Sequence, residues 1–126
     1  MRSHVIMDLD PRDVHTADLD RVAAVLRDQP DDDDVDMLAD VFALLGDPSR
    51  LRLLTGLLFS DELCVSDLAV ISGLSESATS HALRLLRAHH VVRARRVGRH
   101  VHYSLRDGHV RALLSTALDH VAHDHG

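Results

Sequence analysis

The chain has 126 residues, a formal charge of −6 and few aromatics, Phe42, Phe59 and Tyr103 with no Trp. That length fits one modest domain with an aliphatic core, and so thin a core is expected to gain burial across a homodimer. No apolar run approaches the roughly 20 residues of a membrane span. Met1–Asp10 lacks the basic-then-apolar order of a secretory signal, and Cys64, the single cysteine, excludes an internal disulfide; the expectation is a soluble, cytoplasmic protein with no membrane partner.

Residues 1 to about 17 read as irregular. Leu19, Val22, Ala23 and Leu26 share one face of a short helix over Asp18–Asp28. Pro30 ends it, and the run Asp31–Asp34 reads as a solvated linker rather than a metal site, since adjacent acids repel. Residues 1–33 are thus expected to be a flexible acidic extension with one short helix, and 34–126 the working domain.

That domain begins with a helix over about Val35–Leu45, carrying Leu38, Val41, Phe42 and Leu45 at helical spacing and stopped by Gly46. Asp47 is placed to cap the next helix, with Pro48 at its first position, where a missing N–H is harmless. Its leucines, Leu51, Leu53, Leu54, Leu57 and Leu58, predict deep burial. Ser60–Leu63 reads as a turn. A short helix over Val65–Ile71, with Leu68, Ala69 and Ile71 inward, leads through Ser72–Gly73 to a longer one capped by Ser75 and reaching about His90, its apolar positions Ala78, Ala82, Leu85 and Leu86. Short helix, tight turn and longer helix make a helix-turn-helix pattern. The period then changes to two around Gly98-Arg99, which predicts a β-hairpin. A last helix starts at Asp107 and runs to about His123. The fold expected is mainly α with a small β-hairpin, a homodimeric winged helix-turn-helix.

Charge is unevenly placed. Acids crowd the first third, whereas Ser75–Leu105 holds Arg84, Arg87, Arg93, Arg95, Arg96 and Arg99 against one acid, Glu76. Small polar residues near the start of the longer helix (Ser75, Ser77, Thr79, Ser80 and His81) suit base edges in a major groove. Arg84 and Arg87 further along, with Arg95, Arg96 and Arg99 on the wing, suit phosphates. The plainer alternative makes Ser75 and Ser77 caps and the arginines solubilising charge.

Of the eleven histidines, three fall on one face of the last helix. On a helical wheel His120 lies about 20° from His109, and His123 about 40° to the other side. Yet His109 and His120 stand roughly 16 Å apart along the axis, too far for one ion. An antiparallel second copy removes the difficulty: Asp107 and His109 of one helix meet His120 and His123 of the other, twice by symmetry. One carboxylate and three imidazoles make a tetrahedral zinc set. The alternative leaves Asp107 as an N-cap and the histidines as charges at a helix C-terminus.

The segments LLGDPSRLRLL (44–54), ELCVSDLAVISGLSESATSHALRLLR (62–87), GRHVHYSLRD (98–107) and ALDHVAH (117–123) resemble, in order and spacing, the ArsR/SmtB metal-sensing repressors, and most closely their SmtB-like zinc-sensing branch. The resemblance implies a dimeric repressor that leaves double-stranded operator DNA when metal binds at Asp107, His109, His120 and His123. It also implies a second site in some members, here at Cys64 and Asp67. The N-terminal extension has no cysteine to complete that site and only His15 or His4 to offer, so the expectation is that it does not function. In nickel- and cobalt-sensing relatives further histidines extend the helix site, and His125 with His4 or His15 makes this the alternative metal assignment. No nucleophile is paired with a base, so no enzyme is expected. A metal-independent regulator and a metal-storage protein are the less favoured alternatives.

Overall fold

The computed structural model describes the backbone of residues 18–125 and the side chains of 18–123. His4 and His15 lie outside the described residues, as does the side chain of His125. The chain divides into two units, 1–34 and 35–126.

In the first unit, α1 (Leu19–Asp28) is capped by Asp18, whose side chain accepts from Arg21 N at 3.1 Å. It buries none of its residues. The acidic run is not a linker. Asp32–Asp34 form the first turn of α2 (Asp32–Leu45), and Asp31 Oδ1 accepts from Asp34 N at 2.8 Å. Carboxylates at a helix N-terminus meet unpaired N–H groups and the positive end of the dipole, which outweighs their screened mutual repulsion.

In the second unit, Asp47 caps α3 (Pro48–Phe59) by accepting from Arg50 N at 3.0 Å, and Arg50 Nε donates to Leu44 O at 2.8 Å, fastening α3 to the end of α2. Leu53, Leu54 and Leu57 are fully buried. Gly56 lets α4 (Val65–Ser72) approach: a Cβ there would meet Ile71 Cγ2 at 3.1 Å. Ile71 is therefore packed on α3 but remains partly exposed, and Ser72 takes the inward place expected of it. Gly73, at φ +77°, ends α4 in the left-handed region that favours glycine, and α5 (Glu76–Ala88) follows.

Where a turn was expected, Leu63–Cys64 form a two-residue strand, β1, paired with β3 (His100–Leu105), which also pairs with β2 (Val92–Val97). The wing is thus a three-stranded antiparallel sheet of order β1-β3-β2. The last helix, α6, spans Gly108–His125. One core joins Leu44, Leu53, Leu54, Leu57, Leu68, Ala82, Leu83, Leu86, Val91, Val92, Leu105 and Leu114, with Leu58 packed against it, whereas Leu51, expected to be deeply buried, is exposed. Among the described residues no helix is long and apolar enough to cross a membrane.

Candidate functional site

The longer helix of the pair and the wing both carry exposed polar side chains. Ser75 caps α5, its Oγ accepting from Ala78 N at 3.1 Å. Thr79, Ala82, Leu83 and Leu86 face the core, so Ser77, His81, Arg84 and Arg87 face solvent, and Ser80 is half-buried between them. Thr79 corrects the reading of this helix. It is fully buried, and its Oγ1 donates to Ser75 O at 2.8 Å, so it serves the fold and has no access to a base edge. Its spacing to Ala82, Leu83 and Leu86 (i+3, i+4, i+7) carried the signal.

On the wing Arg95, Arg96 and Arg99 are exposed, but they are not equivalent. Arg95 Nε and Nη2 donate to Glu62 Oε2 and Oε1 at 2.9 and 2.6 Å, and His102 Nδ1 lies 3.5 Å from Oε1. The Arg95 hydrogen bond holds the Glu62 carboxyl below the ordinary carboxylate range and raises Arg95 in turn. Glu62 and His102 were not anticipated. Glu62 is 33 residues from Arg95 in sequence, and only the β1–β3–β2 register reveals the pairing.

On α6 the two predicted ligand pairs sit at opposite ends. Asp107 Oδ1 accepts from Val110 N and His109 N at 3.1 and 3.0 Å, and these bonds, Val110's foremost, keep its carboxyl below the ordinary range. His109 Nδ1 is 3.7 Å from the same oxygen. In tetrahedral zinc with bonds near 2.1 Å, neighbouring donors are about 3.4 Å apart, so a small rotation suffices to share an ion. At the far end His123 Nδ1 bonds Asp119 O at 2.8 Å, which leaves Nε2 outward. Anchoring one imidazole nitrogen on a carbonyl orients the other as a ligand. His120 lies one helical turn before it. Among the described residues no three such side chains gather within the chain. Cys64 and Asp67 do come together, Sγ donating to Oδ2 at 3.4 Å.

Along α6 Leu113, Leu118 and Val121 remain exposed at 40, 39 and 52 %. They border two apolar hollows of about 260 and 270 Å³ against Phe42, Leu45, Leu51 and Thr55.

Residues 47–93 match the family described as bacterial regulatory protein, arsR family. The chain is 51 % identical over 89 residues to the transcriptional repressor SmtB homolog of Synechocystis, covering 71 % of this chain and 67 % of that protein. It is 40 % identical over 83 residues to the cadmium resistance transcriptional regulatory protein CadC homolog of Staphylococcus aureus, covering 66 and 69 %. The chain belongs to the ArsR/SmtB family. Its fold agrees with the solved homodimeric winged helix-turn-helix DNA-binding domain of a possible ArsR-family regulator from Mycobacterium bovis: TM-score 0.64, 28 % identity, 89 % of this chain and 92 % of that one covered. As an ArsR/SmtB protein it is a DNA-binding transcriptional repressor of the winged-helix type, in a family of metal-sensing regulators and not of enzymes.

Proposed function

We propose that the chain acts in the cytoplasm as a homodimeric repressor that leaves its operator when zinc binds between the last helices. The observation that carries this is the division of α6: a carboxylate–imidazole pair poised at one end, two imidazoles one turn apart at the other, and half-covered leucines between. Asp107 and His109 of one subunit, with His120 and His123 of the partner subunit, would hold the ion. When bound, it supplies a fixed link between the two α6 helices. The chain's own residues do the rest. Val110 and His109 N–H groups hold Oδ1 of Asp107 beside His109 Nδ1 and keep the carboxyl below the ordinary range. Asp119 O fixes the tautomer of His123.

In this reading residues 34–126 carry DNA binding, pairing and sensing. Ser75, Ser77, Ser80 and His81 face the bases, and Arg84, Arg87, Arg95, Arg96 and Arg99 the phosphates. Two copies set the spacing of two α5 helices, and half-sites one helical turn apart demand one spacing. A metal-stabilised arrangement with another spacing therefore weakens both contacts at once. Oxygen and nitrogen donors in a closed set of four favour zinc. Nickel or cobalt would call on His125 with His4 or His15. One thiol, bonded to Asp67, makes no soft-metal site.

The test is an operator titration with and without zinc. Zinc is expected to weaken wild-type binding by about 1–3 kcal/mol, the usual size of allosteric coupling, and to have little effect on His120→Ala. Equal release in both would refute the site. Full release by limiting nickel with zinc inert would keep the site and replace the metal.

A further inference from the structure

We propose that Glu62 is a built-in counter-charge of the wing, held by Arg95 while DNA is absent and exchanged for a phosphate when it binds; this rests on the DNA-binding reading above. The sheet register sets up the pair. Leu63 faces Tyr103, Cys64 faces His102, and His102 faces Arg95. Side chains alternate across a sheet, so Glu62, His102 and Arg95 share the outer face while Leu63, Tyr103 and Ala94 share the other. The turn bearing Glu62 is also approached from the α6 side, where Arg111 Nη1 donates to Leu58 O at the end of α3 at 2.9 Å and Nη2 lies 3.8 Å from Asp61 Oδ1. Glu62 is thus presented to Arg95 by structure on both sides of it.

The geometry consumes Arg95 as a free cation. Both Nε and Nη2 are taken by one carboxylate, the side-on fork that arginine otherwise offers to a phosphate. Among the described residues Arg96 and Arg99 have no acidic partner. Backbone affinity scales with the cations that displace condensed counterions, and an arginine already neutralised displaces few. An exposed ion pair is weak enough to be exchanged for a phosphate. Glu62 therefore lowers affinity for every sequence alike and leaves base choice to α5.

The experiment uses the full chain and a labelled mixed-sequence duplex, with binding followed by anisotropy from about 50 to 200 mM salt. Glu62→Gln is expected to bind about two- to fivefold tighter at moderate salt, the worth of one exposed pair. Its salt slope steepens by up to about one unit. Arg95→Gln is expected to weaken binding little in the wild type and more in the Glu62→Gln background. Unchanged or weaker binding by Glu62→Gln, with an unaltered melting temperature, would overturn the proposal, because the carboxylate would then be idle or a buttress for Arg95. Should Glu62→Gln melt early, the Arg95→Gln loss decides: a full-sized loss in the wild type also overturns it. A wild type that binds no duplex at low salt removes the DNA-binding reading, and the counter-charge with it.

Discussion

α5 buries Thr79, Ala82, Leu83 and Leu86 against its own chain, whereas α6, with 18 residues against 13, buries only Leu114 among its described residues. The cap of α5, its packing face and its exposed face are all complete within one molecule. On α6 the ligand pairs are split between the ends and the leucines between them are half-covered. In the function proposed above, the reading half of the protein is finished by folding, and the sensing half would be finished by a second copy.

Substitutions that separate the two halves test this difference. The largest effect is expected at Leu83→Ala, which opens a cavity under α5 and lowers unfolding free energy by about 2–5 kcal/mol in urea melts. Leu118→Glu should leave the chain folded by circular dichroism yet remove about 2 kcal/mol or more of pairing energy, so that sedimentation gives a monomer at micromolar concentration. A wild-type dimer in that variant would place the seam elsewhere. Within α5, Thr79→Val should cost about 1 kcal/mol of stability, for the lost hydroxyl bond, and leave base preference untouched. Ser77→Ala or His81→Ala should do the reverse in a randomised-operator selection. A change of base preference in Thr79→Val would mean that α5 presents another face. The smallest effect belongs to Arg99→Ala, expected to lower the salt slope by up to about one unit with base preference unchanged.

Much of this was legible in the sequence because it is local. Asp18, Asp47 and Ser75 each accept from the N–H three residues on, so their positions alone announce helix starts. The period of two on either side of Gly98 announced the hairpin. The misses came from context. Asp31–Asp34 read as repulsion, when the dipole of the helix they begin makes them favourable. Two residues are too few to show a period, so β1 read as a turn. Glu62 was invisible as a partner of Arg95, since a census of charge along the chain cannot see across a sheet. Spacing proposed Asp107 and the histidines as ligands, and a site shared between two molecules would leave only half its geometry in one chain.

The two-residue strand has a mechanical consequence. Cys64 pairs with His102 in the sheet and is followed at once by Val65, the first residue of α4, with no loop to absorb movement. The wing cannot swing without pulling on the helix-turn-helix, nor α4 tilt without dragging the wing. If α5 and the wing touch DNA as proposed, their contacts would travel as one stiff head, and an effector would need only to swivel heads as whole bodies, never loosen their parts, to take both off together.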